Sequence, residues 1–178
     1  IYGPVRSRRF GLSLGIDPLF KVSSCSFNCI YCQLGEIQNV TDNIREYVST
    51  AKVVSDFSQL LEQQVAFDVI TYSGSGEPTL ASNLGDIFGA LKKLSARPQY
   101  VLTNAVHLGN GLVKKNLATF DKVIIKLDAW DETSFQRINR PHPSVKFSQH
   151  LKGIKDFRQN YHGSVEVQSM FTPANYPQ

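Results

Sequence analysis

Residues 67–79 read FDVITYSGSGEPT. A short, nearly unbroken apolar run of β-branched and aromatic residues gives way at Ser73 to a polar stretch in which Gly74 and Gly76 alternate with serine. A run of that length and composition is a strand buried on both faces, as in parallel sheets covered by helices. Working outward, Gln99–Thr103 (QYVLT) and Lys122–Asp128 (KVIIKLD) have the same character. Ser164–Met170 (SVEVQSM) follows them, and Phe10–Ile16 (FGLSLGI) precedes them. Between these runs lie stripes at helical spacing: Val53, Phe57, Leu60, Leu61 and Val65; then Leu84, Ile87, Phe88, Leu91 and Leu94, with Ser82 as the expected N-cap; then Phe147, Leu151, Ile154, Phe157 and Tyr161. Strand and helix alternate five times, which predicts an α/β fold: a parallel sheet of alternating β/α units joined by right-handed crossovers. Periodicity alone does not choose between an open sheet and part of a barrel.

The composition agrees with one globular domain over 1–178. At 178 residues, 42% hydrophobic and 19% charged, the chain is long enough to bury a core and too apolar to be disordered. It holds no apolar run of the roughly 18–20 residues that span a bilayer and no leader pattern, so no membrane role is expected. The net charge of +4 is partly local. Arg6, Arg8 and Arg9 crowd the first strand, and Arg137, Arg140 and His142 form a second knot, which suits an RNA or a small carboxylate as well as a plain solvated surface.

The three cysteines, Cys25, Cys29 and Cys32, fall within eight positions. A disulfide framework spreads an even number along the chain, so a reducing, cytoplasmic setting is expected. Three thiolates so close suit an iron–sulfur cluster or zinc. Zinc wants a fourth ligand, and the first histidine is His107. Exposed thiolates would also oxidise readily. The other polar groups gather at strand ends, where α/β folds bind ligands: Gly76-Glu77-Pro78 after the first buried strand, Thr103 and Asn104 after the second, Lys126 and Asp128 at the third, Met170 at the last. Taken singly, Asn104 reads as a turn residue and Asp128 as a cap for a helix over Asp131–Ile138; His107, His142, His150 and His162 read as surface or loop residues.

Cys25-x3-Cys29-x-Tyr31-Cys32, after a first strand and trailed by a Gly-Glu segment, resembles the signature of the radical S-adenosylmethionine (radical SAM) superfamily. The wording of residues 2–18, CSFNCIYCQLG, SGSGEPTL, LTNA and KLDAWDETSFQRINRPHP resembles a branch related to the tRNA wybutosine-synthesising enzymes. The resemblance implies a partial (β/α)6 TIM-like barrel, with a sixth strand and a substrate-binding tail beyond Gln178. It implies that Cys25, Cys29 and Cys32 hold a 4Fe–4S cluster whose open iron chelates S-adenosylmethionine. Tyr31 would lie near the adenine or the cluster, and Gly76-Glu77-Pro78 would bind the methionine amine. Thr103 and Asn104 would face the methionine or ribose, Asp128 the ribose or substrate, and Met170 the adenine. Lys126 sits where many relatives have serine. A flavodoxin or ferredoxin-type donor would supply the electron, and the 5′-deoxyadenosyl radical would abstract hydrogen from the substrate. The substrate readings are a tRNA base, or a peptide, protein or small metabolite; a non-enzymatic metal-binding or redox-sensing module is the third possibility. The second cysteine set of the tricycle-building enzymes is absent from this sequence.

Overall fold

The computed structural model describes residues 1–176. The buried runs become the parallel strands β2 (Gly11–Ile16), β5 (Val69–Tyr72), β6 (Gln99–Thr103), β7 (Lys122–Lys126) and β8 (Ser164–Gln168). They lie side by side in that order. The first strand of the chain, β1 (Tyr2–Ser7), pairs antiparallel with β2 and makes the sheet six-stranded. The expected parallel sheet of β/α units is present, and β1 adds an antiparallel edge strand to it. The segment carries Gly3 and Pro4, and only an edge tolerates proline in a ladder. Two corrections concern strand ends: Leu127 and Asp128 lie past β7, and Ser169 and Met170 past β8. The sixth strand and tail expected beyond Gln178 lie outside the described residues.

Side chains alternate across each strand. Leu14, Ile16, Ile70, Tyr72, Val101, Val123 and Ile125 face the helices α1 (Thr50–Glu62), α2 (Leu84–Leu94), α3 (Gly111–Leu117) and α5 (Phe147–Asn160), and meet Phe57, Ile87, Leu91, Leu117 and Phe157 in one large core. The opposite face carries Ser13, Gly15, Thr71, Tyr100, Lys122, Lys126, Glu166 and Gln168 beside the apolar Val69, Leu102 and Ile124, a mixed wall inside the curve of the sheet. There the Ser13 and Thr71 hydroxyls are 2.7 Å apart. The curvature is visible at the base. Arg9, on the turn between β1 and β2, reaches Glu166 of β8 at 3.6 Å, and Phe10 packs edge-on to Tyr100 at 5.3 Å. The two margins of the sheet therefore meet at the end opposite the strand carboxyl termini, as in part of a barrel.

Helix ends explain two more departures from expectation. α2 is capped at Asn83, whose amide is spent on Val48 and Thr50; Ser82 is held in backbone bonds to Arg45 and carries no cap. α1 stops at Glu62 because Gln64 is left-handed (φ 55°), so Val65 leaves the helical stripe. The helix α4 (Glu132–Ile138) is capped by Asp131, whose carboxylate takes the Ser134 N–H at 2.7 Å while the Ser134 hydroxyl takes the Asp131 N–H. Asp128 is thus free of the capping role. Among the described residues no helix is long and apolar enough to cross a membrane.

Candidate active site

The cysteine loop leaves the short strand β3 (Ser24–Cys25), paired with β4 (Asn39–Val40), and turns twice: the Cys32 N–H meets the Cys29 carbonyl and the Gly35 N–H meets the Cys32 carbonyl, each at 3.0 Å. All three thiols are free and half-buried. One side of the loop docks on the segment after β5. Ser24 N–H donates to Ser75 O at 2.8 Å, and Glu77 N–H to Ser24 O at 3.0 Å. Gly76 makes this approach possible, since at φ +149° a Cβ would stand 1.7 Å from the Ser24 carbonyl oxygen. The other side runs along the end of α4, with the Ile30 N–H on Ile138 O at 3.0 Å. Beneath, Phe27 packs edge-on to Phe135 at 5.2 Å, in a small cluster with Ala129, Val145, Cys25, Cys29 and Phe147.

Glu77 is 2% exposed. Its Oε1 accepts from the Thr79 N–H (3.0 Å), the Thr79 hydroxyl (2.6 Å) and the Thr103 hydroxyl (2.5 Å), and its Oε2 from the Asn104 N–H at 2.7 Å. Burial pushes its pKa up and those donors pull it back. The carboxylate is thus a fastener between the β5 and β6 loops, and the Thr103 hydroxyl is committed to it. Asn104 serves twice: its Oδ1 takes the Val106 N–H in the expected turn, and its Nδ2 lies 3.6 Å from Cys25 Sγ.

Asp128 is a second hub. Its carboxylate accepts the Tyr31 hydroxyl, the Asn139 amide (3.2 Å), the Met170 N–H (2.6 Å) and the Lys126 ammonium (3.1 Å). Lys126 also stands 5.2 Å from the Tyr31 ring centroid. So Tyr31, Lys126, Asp128 and the Met170 backbone meet, although the Met170 side chain is 40% exposed. Asn139, which no sequence motif marks, lies at the end of α4, with its Nδ2 3.4 Å from Cys29 Sγ.

Two of the three thiols are biased toward the protonated form. Burial pushes Cys25 and Cys29 up, Asn139 partly opposing this at Cys29, and burial likewise raises the Tyr31 phenol. The histidine expectation is also corrected. His150 is 3% exposed, its Nε2 donating to Asn104 O at 2.8 Å. His107 meets Ser26 Oγ at 2.7 Å, and burial drives its pKa down to about 4.

A three-thiol loop with N–H groups aimed at its sulfurs, packed against a glycine-bearing loop at the carboxyl end of a curved parallel sheet, can be compared with known proteins. The radical SAM superfamily profile matches residues 21–173. The chain belongs to the radical SAM superfamily. A UPF0026 protein of Synechocystis is 46% identical over 170 residues, 96% of this chain and 63% of that protein, so the chain spans under two-thirds of that relative. In fold, this radical SAM domain is similar to Streptococcus suis SuiB bound to its precursor peptide (TM-score 0.66, 19% identity, 92% of this chain and 34% of that one). It is also similar to TYW1 with a lysine–pyruvate adduct (TM-score 0.59, 15% identity, 94% of this chain and 58% of that one).

The donor set fits the superfamily's 4Fe–4S cluster. Three thiols on one loop, two of them facing buried amide N–H groups, suit anionic sulfurs.

Proposed function

We propose that this domain is the catalytic core of a radical SAM enzyme in which Cys25, Cys29 and Cys32 hold the 4Fe–4S cluster beside a SAM site at the carboxyl ends of β5, β6 and β7. The observation that carries this is the docking of the cysteine loop on Gly76-Glu77, clamped by Ser24 and by the buried Glu77 knot. A cluster held by these cysteines would supply the one electron that cleaves the sulfonium of SAM to methionine and a 5′-deoxyadenosyl radical, the species that would take hydrogen from the substrate.

The chain's own residues have narrower tasks. The main chain around Gly76-Glu77-Pro78 presents its polar groups to the methionine amine, held in place because the Glu77 carboxylate is saturated from behind. Asn104 and Thr103 fix the neighbouring wall. Asp128 anchors Tyr31 over the loop and orients Lys126 toward the ribose or substrate side, with Met170 closing the rim near the adenine. A flavodoxin or ferredoxin-type protein supplies the electron.

The substrate we favour is a tRNA base. Of the two arginine knots, Arg6, Arg8 and Arg9 lie toward the base of the sheet, whereas the segment bearing Arg140 runs alongside the cysteine loop, with its carbonyl 3.1 Å from the Asn28 N–H. A peptide is the competing reading, supported by the fold shared with SuiB. The test is anaerobic reconstitution with iron and sulfide, then SAM and dithionite, with 5′-deoxyadenosine quantified. Product in the wild type and none after Cys25/Cys29/Cys32→Ala is expected; a loaded cluster without product would sink the enzymatic assignment. A tRNA mobility shift that weakens steeply with salt then distinguishes the RNA from the peptide.

A further inference from the structure

We propose that Asn139 and Asn104 are positioning residues that donate amide N–H groups to the ligand sulfurs of Cys29 and Cys25 and thereby set the reduction potential of the cluster. This rests on the trio being the cluster ligands. Both side chains are buried, at 3% and 7% exposure, so an amide N–H there needs a partner inside the protein. The orientation of each amide follows from its other contacts. Asn104 Oδ1 takes the Val106 N–H at 3.0 Å, which leaves Nδ2 facing Cys25 Sγ at 3.6 Å. Asn139 Nδ2 is fixed by the Asp128 carboxylate at 3.2 Å, and its second N–H faces Cys29 Sγ at 3.4 Å. Exchanging O and N would set oxygen against the Asp128 carboxylate in Asn139, and N–H against the Val106 N–H in Asn104.

Each backbone is clamped as well. The Asn139 N–H donates to Phe135 O at 2.9 Å, and its carbonyl accepts the Asn28 N–H at 3.0 Å. Asn104 is gripped between Glu77 and His150. The amides are thus held in place by α4, the β6 loop and α5. A hydrogen bond to an anionic sulfur is stronger than one to a neutral thiol. Reduction adds negative charge that is shared with the ligand sulfurs, and hydrogen bonds to those sulfurs are among the factors that set cluster potentials. N–H donors therefore favour the reduced form. Among the described residues, Cys32 Sγ receives no such donor, so the donors are concentrated on two of the three ligands.

The test uses reconstituted wild type beside Asn139→Leu, Asn104→Leu and the double variant, each titrated with dithionite and mediators and followed by electron paramagnetic resonance. Each leucine, close in volume but without a donor, is expected to move the midpoint to a more negative potential, and the double variant by about the sum of the two. Independently of any variant's folding, wild type grown with 15N-asparagine is expected to show 15N hyperfine coupling to the reduced cluster. A wild type that takes up no cluster overturns the ligand reading and this proposal together. A loaded wild type whose variants keep its midpoint, or which shows no 15N coupling, overturns the proposal alone.

Discussion

The molecule is held together by two apolar clusters that differ in how they are assembled. The large one lies between the sheet and α1, α2, α3 and α5 and draws several residues from each regular element, Leu14 and Ile16 from one strand, Ile70 and Tyr72 from the next. The small one takes Phe27 from the cysteine loop, Ala129 and Val145 from connections, Phe135 from α4 and Phe147 from α5. Redundancy is therefore high in the first and nearly absent in the second. A lost side chain in the large core weakens everything at once; a lost side chain in the small one frees the cysteine loop while the sheet stands.

The sharpest way to break this comparison is a matched pair of truncations. Phe57→Ala, at a position 0% exposed, should cost about 3–5 kcal/mol. The urea midpoint should fall, with amide protection lost together across the strands. Phe135→Ala should fall near the low end of that range, about 3 kcal/mol, and act locally: amide exchange in residues 27–30 should rise well before that in Val69–Tyr72. Simultaneous exchange in both stretches would mean that the clusters form one unit. A smaller effect is expected from Asp131→Ala, which removes the cap of the helix carrying Phe135 and should cost about 1 kcal/mol by thermal melting. An unchanged melting temperature would show that α4 is held by packing alone.

The mildest probe is acid. Burial lowers His107 from 6.5 to about 4, and lowers His150 as well. A group that stays neutral when folded but binds a proton when unfolded gives its full contribution above pH 6.5. That contribution is lost as the pH falls toward 4, because the unfolded chain then takes up more protons. His107→Gln keeps a partner for Ser26 and removes the titration, so its melting temperature should fall less over this interval than that of the wild type. Equal slopes would remove His107 from the account.

The same contrast explains what could be read from the sequence. Strands β5, β6 and β7 and the faces of α1, α2 and α5 were legible because each repeats its apolar residues at a fixed period, and the cysteine spacing and Gly76-Glu77 were legible because they are local. β1 was not, because an edge strand with Tyr2 and Val5 exposed carries no buried run. Asn139 was not, because it meets Cys29 across 110 positions of chain and no periodicity joins them. The same holds for His150, whose burial follows from Phe27 and Phe135 closing around its ring. Asp128 was named in the sequence, but its role as the meeting point of four donors belongs to the tertiary structure.

The contact between the β1–β2 turn and β8 bears on where the sheet is tied. The Arg9–Glu166 ion pair is half-exposed and screened by salt, so it adds little stability; the Phe10 ring, edge-on to Tyr100 of β6 and 5.6 Å from the Lys122 ammonium of β7, ties the turn across the base of the sheet. Among the described residues no comparable link ties the outer strands at the mouth. Among the described residues the sheet is therefore tied at its base, at the end away from the candidate site.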